Sequence, residues 1–313
     1  MTERRTDLLP EVGEFLAVLD AGMPDVTAFP AAELREVFRA RQAPLRGEPA
    51  MAEVRDTTIA GPDGDPLPLR VYVPHGAPSE GAPLIVFAHG GGFVFCSIDS
   101  HDEFARSLAD GTGAVVVSVG YRLAPEHPAP AGTEDVYAAL SWAHAEAEAL
   151  GADPGRIAVA GDSAGGCLAA TTAIAARDRG GPPIAAQLLF YPVLDDDFET
   201  ASYREYGEGY YNTAAAMRWY WEQNAPGPRE DPTVMPTRAA TLASLPPALV
   251  ARAELDPLCS AARTYAERLR ADGVPVRETL LEGLFHGVLT FASFPLAAAA
   301  RDEVFAQCRE LLA

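Results

Sequence analysis

The sequence predicts an α/β fold, a mostly parallel central sheet with helices on both faces and a helical cap, and three observations predict it. Short apolar runs alternate with helix-length stretches from residue 84 onward. Those runs are continuously apolar, so both faces of the sheet must be covered. One interval, between Pro192 and Pro246, loses the strand rhythm and becomes aromatic.

In chain order, the first fifty residues read as helices over Leu9–Leu19 and Ala31–Arg41, the second announced by Pro30. Glu53–Ile59 and Leu67–Val73 read as a β-hairpin joined through Gly61-Pro62-Asp63-Gly64. Strands follow at Leu84–Ala88, Ala114–Val119, Ile157–Ala160, Ala186–Tyr191, Ala248–Ala251 and Val274–Leu280. The helices between most of them are His101–Leu108, Thr133–Leu150, Ala164–Arg177 and Leu258–Arg270, with a last one over Ala297–Leu312. The aromatic interval holds Tyr203, Tyr206, Tyr210, Tyr211, Trp219, Tyr220 and Trp221, the last three on a helix from Thr213 to Gln223. It reads as an inserted lid packed with the amino-terminal helices over one end of the sheet. The alternative is a helical excursion that only covers core. The expected division is therefore 1–50 as amino-terminal helices of the cap, 51–194 with 246–313 as the α/β catalytic domain, and 195–245 as the inserted cap.

Composition narrows the chemistry. The 313 residues are 48% hydrophobic and carry a formal charge of −20, enough length for a full core and too acidic for a nucleic-acid partner or anionic lipid. All 24 basic residues are arginine. The absence of lysine excludes Schiff-base chemistry, a Walker-type lysine and a Ser-Lys dyad. Cys96, Cys167, Cys259 and Cys308 are far apart with no metal-type spacing, which suggests reduced thiols, a cytoplasmic location and no metal. The polar start Met1–Asp7 leads into no signal-peptide core, and no apolar stretch reaches the length of a membrane span.

The strongest local signal is Gly161-Asp162-Ser163-Ala164-Gly165-Gly166, between the strand ending at Ala160 and the helix from Ala164. A serine on a sharp strand-to-helix turn projects its hydroxyl clear of the backbone, and the helix start behind it favours developing negative charge. The second signal is His89-Gly90-Gly91-Gly92 at the end of the Leu84–Ala88 strand, where glycines let N–H groups converge on an oxyanion. A phosphate loop would need G-x-G-x-x-G opening a helix, or a lysine, and neither is present.

A serine nucleophile needs a base. In an α/β-hydrolase the chain order is serine, acid, histidine. Of six histidines (75, 89, 101, 127, 144 and 286) only His286 follows Ser163, and it lies in a loop ahead of the last helix. The acid is Asp256, just after the Ala248–Ala251 run and its short extension, at the strand end that faces the same rim as Ser163. Glu254 is its rival, because register cannot be read from sequence. Asp162 reads as structural.

With these residues in place the chain resembles the bacterial hormone-sensitive-lipase-like esterases, lipolytic family IV. The blocks that carry the resemblance are HGGG, His101-Asp102, the run Tyr121-Arg122-Leu123-Ala124-Pro125-Glu126-His127-Pro128, GDSAGG, Asp256-Pro257-Leu258 and the loop Gly283–Gly287. They span residues 65 to 290 in order. The resemblance implies an α/β-hydrolase fold under a helical cap and a Ser163-Asp256-His286 triad. It also implies an oxyanion hole from the N–H groups of Gly91, Gly92 and Ala164, with His89, Gly90 and Asp162 as support. No cofactor is implied. The expected activity is a carboxylesterase on short- to medium-chain acyl esters through a serine acyl-enzyme. An N-acyl deacylase, a dehydratase or a non-catalytic small-ligand receptor stand as alternatives, and a homodimer is expected because capped esterases often pair. Three departures stand out: Ser260 where a second aspartate is usual, Met235-Pro236 in place of Ser-Pro, and Cys96 where a glycine is common.

Overall fold

The computed structural model describes residues 8–42 and 44–313. Residues 1–7 of the expected amino-terminal helical segment, and position 43, lie outside the described residues.

Helices α1 (Pro10–Gly22) and α2 (Ala31–Arg41) precede the antiparallel pair β1 (Met51–Ala60) and β2 (Pro66–Pro74). Then come β3 (Ala82–Ala88), α3 (Asp102–Thr112), β4 (Val115–Val119), α4 (Ala131–Ala145), β5 (Ala152–Asp162) and α5 (Ala164–Arg179). The chain continues through β6 (Ala186–Phe190), α6 (Ala201–Tyr206), α7 (Ala214–Asn224), β7 (Ala248–Leu255), α8 (Cys259–Ala271), β8 (Val276–Phe285) and α9 (Pro295–Leu312). The eight strands form one sheet in the order β1-β2-β4-β3-β5-β6-β7-β8. Pairing is antiparallel through β1, β2 and β4, and parallel from β4 to β8.

The continuous apolar runs are explained by two separate cores. On β3, Leu84, Val86 and Ala88 face one core, built with α4, α5 and α8. The alternate residues Ile85 and Phe87 face the other, built with α1, α3 and α9. Successive strand residues point to opposite faces, so a sheet covered twice needs apolar residues at every position. Helix α5 is buried along its first thirteen residues and reads apolar or small on every side, as a helix enclosed by its neighbours must.

Most differences from the sequence expectation lie at element ends. Strand β5 begins at Ala152, five residues before the expected Ile157; its first part pairs beside Ala82 at the start of β3, and Asp153-Pro154-Gly155-Arg156 carries no apolar strand signal. The short helix α6 was not expected. Its side chains look outward and inward over too few turns to leave a periodic signature, and its start is set locally by Thr200, whose side chain accepts from the Tyr203 N–H.

Helix α2 is tied to the segments that follow the glycine loop after β3, and α1 to the end of β8 and the start of α9. Phe38 of α2 stacks on Phe95 with ring centroids 4.2 Å apart. Arg35 donates to the Val94 carbonyl at 2.6 Å and to the Ala124 carbonyl at 2.5 Å, and pairs with Glu126. From α1, Phe15 packs on Phe294 and Phe285 at 4.7 and 5.9 Å. The aromatic interval approaches the same region: Trp221 lies 5.5 Å from Phe93, and Tyr220 lies 5.8 Å from Phe95.

Candidate active site

The site forms where β3, β5, β7 and β8 end. Strand β5 stops at Asp162, and Ser163 turns the chain into α5 with φ +55° and ψ −117°. That conformation costs a non-glycine residue about 1–3 kcal/mol, and the surroundings hold it there. The Ser163 N–H donates to the Phe190 carbonyl, and its carbonyl accepts from the Cys167 and Val193 N–H groups. A Cβ on Gly161 would sit 2.1 Å from the Gly165 carbonyl oxygen, and one on Gly165 would sit 1.9 Å from the Ala88 carbonyl oxygen. The flanking glycines are thus required by the closeness of the turn to itself and to β3.

Ser163, Asp256 and His286 come together from three separate stretches of chain. The Ser163 hydroxyl lies 2.9 Å from His286 Nε2, and His286 Nδ1 lies 2.7 Å from Asp256 Oδ2. With Nδ1–H donating to the carboxylate, Nε2 carries the lone pair that faces the hydroxyl. The second Asp256 oxygen accepts from the Leu258 N–H at 3.0 Å, which orients the carboxylate. All three side chains are buried. Tyr191 meets the His286 ring edge-on at a centroid distance of 5.0 Å and limits its rotation.

Glu254, the rival acid, is placed elsewhere. Its carboxylate accepts from the Gly283 N–H at 2.7 Å. The sequence expectation of a loop over Gly283–Gly287 is corrected here, since β8 continues to Phe285 and His286 is the first residue past it. An irregularity in the β7–β8 ladder hides the strand's second half from a period-two reading.

The glycine loop faces Ser163 from β3. Gly91 and Gly92 have φ of +110° and +58°, and a Cβ on Gly92 would lie 2.4 Å from the Tyr220 ring. Among the described residues, the N–H groups of Gly91, Gly92 and Ala164 donate to no protein acceptor. Gly90 N–H donates to Asp162 Oδ1 at 2.8 Å, so the residue before the serine clamps the loop to the turn. His101 Nε2 lies 3.4 Å from the other Asp162 oxygen.

His89 is engaged by Gly90 and Tyr121. Its Nδ1–H donates to the Gly90 carbonyl, its ring stacks on Tyr121 at 4.3 Å, and its own carbonyl accepts from the Tyr121 hydroxyl at 2.7 Å. Burial, with His101 beside it, pushes its pKa down to about 3, so it stays neutral and serves as packing. The run after Tyr121 is a buttress as well: the Arg122 N–H donates to Asp135, and Glu126 pairs with Arg35.

The three departures have structural consequences. Cys96 has φ +70°, in the region that favours glycine. Burial pushes its thiol up to about 12, so it is no nucleophile at neutral pH. Ser260 accepts from the Ser202 N–H at 3.2 Å, and Ser202 donates to the Pro257 carbonyl at 2.6 Å, joining α6 to the turn that carries Asp256. Met235 is fully buried in the core under α5. A cavity of about 480 Å³ lies behind the glycine loop, lined by His89, Cys96, Tyr121 and Arg70 among others, with neither Ser163 nor His286 in its walls. Among the described residues, no group of three histidine, cysteine or carboxylate side chains could hold a metal ion, and no helix is long and apolar enough to cross a membrane.

Comparisons with known proteins follow the same lines. A family model described as alpha/beta hydrolase fold matches residues 85–290. Esterase LipI of Mycobacterium tuberculosis is 43% identical over 289 residues, covering 88% of each chain. Carboxylesterase NlhH of the same species is 41% identical over 303 residues, covering 93% of this chain and 92% of its own. The structure of a hyperthermophilic esterase from the archaeon Pyrobaculum calidifontis superposes with a TM-score of 0.90 at 39% identity, covering 98% of this chain and 99% of that one.

Proposed function

The chain belongs to the α/β-hydrolase family, among its hormone-sensitive-lipase-like esterases, and is a carboxylic ester hydrolase; from that premise we propose that Ser163, His286 and Asp256 carry the reaction, on short- to medium-chain acyl esters. The observation that carries the residue assignment is the unbroken hydrogen-bonded line from the Ser163 hydroxyl through both imidazole nitrogens to Asp256.

In this reading the Ser163 oxygen attacks the ester carbonyl as its proton passes to His286 Nε2. The carbonyl π pair moves onto oxygen, and that charge is met by the N–H groups of Gly91, Gly92 and Ala164. Collapse breaks the bond to the alcohol, which leaves with the proton from His286. Water then repeats the sequence on the acyl-serine, giving the carboxylic acid and free Ser163. Asp256 keeps the proton on Nδ1 and balances the imidazolium that forms in each step.

We propose a cap made of α1, α2 and residues 195–245, closing over the strand ends. The support is the aromatic layer of Phe38, Phe93, Phe95, Tyr220 and Trp221. With the Tyr220 ring packed against Gly92, room for an acyl chain beside the oxyanion loop is short. Initial rates on p-nitrophenyl esters of increasing acyl length test this. Turnover peaking at short to medium chains is expected. A rate that keeps rising into long chains would remove the substrate class, and stoichiometric binding without turnover would instead favour a receptor.

The proposal extends to a cytoplasmic homodimer. Four free cysteines suit a reducing compartment, and the resemblance to capped esterases supports pairing. Light scattering should give twice the chain mass of 33.1 kDa, and a single chain mass across a wide concentration range would end the dimer reading.

A further inference from the structure

Strands β7 and β8 pair in parallel without interruption from Ala248–Val276 to Ala253–Leu281. The next pair is Leu255 with Phe285. Two steps along β7 therefore stand against four along β8, and the extra two residues form a bulge over Glu282, Gly283 and Leu284. A strand rises about 3.3 Å per residue, so a regular ladder would leave His286 roughly 7 Å farther along β8 from the level of Asp256. The bulge absorbs that length. It sets His286 opposite Asp256, where the 2.7 Å hydrogen bond forms.

A bulge breaks the ladder and leaves backbone groups unpaired. Gly283 supplies the left-handed conformation the bend needs, with φ +65°, and a Cβ there would meet no atom within 4 Å. Its N–H is taken by Glu254, which lies two residues before Asp256 on the neighbouring strand.

We propose that Glu254 is a positioning residue: its carboxylate staples the two-residue bulge of β8 that brings His286 into line with Asp256 and Ser163. This rests on the triad reading above. Among the described residues Glu254 makes no hydrogen bond to any of the three side chains; it acts on the backbone three residues before His286. What the staple needs is an acceptor oxygen at the right reach, and the negative charge is secondary.

Two variants separate these requirements. Glu254→Gln keeps both the reach and an acceptor oxygen. Glu254→Asp keeps the charge and shortens the reach by one methylene. Misplacement of catalytic groups by about 1 Å costs up to a hundredfold. The expected result is Glu254→Gln within about threefold of wild type, and Glu254→Asp with kcat lowered by roughly 10- to 100-fold and KM within about twofold. The downfield proton resonance of the His286–Asp256 hydrogen bond should persist in Glu254→Gln and shift or broaden in Glu254→Asp. A general loss of stability would not move that signal in the folded protein. The opposite rank order, equal loss in both variants, or wild-type rates in both would overturn the proposal. Should Glu254→Asp fail to fold, loss of rate or of the resonance in Glu254→Gln still overturns it, and their retention supports it. Failure of the triad reading is distinguishable, because Ser163→Ala would then keep its activity whatever happens at position 254.

Discussion

Ser163→Ala is expected to lose at least about a thousandfold in kcat/KM on a p-nitrophenyl ester, with the fold intact. The contacts that hold the turn are made by the Ser163 backbone, so alanine retains them. The strained φ of +55° is as accessible to alanine as to serine. Only the hydroxyl that faces His286 Nε2 is lost. What survives is binding and the backbone N–H groups around Gly91, Gly92 and Ala164, which act on charge that no longer develops on an acyl-serine path. The loss should fall on kcat, and active-site titration with a phosphonate should report no reactive serine. A variant that keeps a tenth of the wild-type rate would place the nucleophile elsewhere in the molecule.

Asp256→Asn should lower kcat by about a thousand- to ten-thousandfold, far more than its change in size suggests. The geometry gives the reason. One Asp256 oxygen accepts from the Leu258 N–H and the other from His286 Nδ1–H. Asparagine has a single carbonyl oxygen. If it stays on the Leu258 N–H, the side-chain NH₂ faces His286 and donates to Nδ1. The imidazole proton then moves to Nε2, the nitrogen that must accept the proton of Ser163. Substrate affinity should change little, since Asp256 is buried with its two oxygens on the Leu258 N–H and His286. Rates for Asp256→Asn and Glu254→Gln measured side by side decide the assignment. Loss confined to the position-254 variant would make Glu254 the acid.

Much of this site was legible in the amino-acid sequence because its signals are local. Gly161–Gly166 between a strand and a helix specifies a sharp turn, since neighbouring residues decide whether a chain can bend there. The glycines after His89 mark a loop that approaches other backbone closely. His286 needed no geometry at all, only its order after Ser163. The family resemblance added the residues of the oxyanion loop on the same motifs, and the α/β-hydrolase fold it implied is the one the family model matches.

Other features required two distant stretches to be seen together. Arg35 is an ordinary helix arginine until Val94, Ala124 and Glu126 are folded against it. Tyr220 is one aromatic residue among several until its ring closes on Gly92. Ser260 looked like a missing aspartate, and in the folded chain it is joined through Ser202 to the turn of Asp256.

Sequence by itself determined the strand–helix rhythm, the sharp turn that carries Ser163 and the single histidine that follows it, because periodicity, turn chemistry and chain order are properties of a few adjacent residues or of a simple list. Tertiary structure alone places Asp256, and not Glu254, within hydrogen-bonding distance of His286. That placement depends on register, and register here is set by a bulge in β8 whose two extra residues shift every later side chain by about 7 Å. No pattern within β7 encodes that shift, since the extra residues lie on the neighbouring strand.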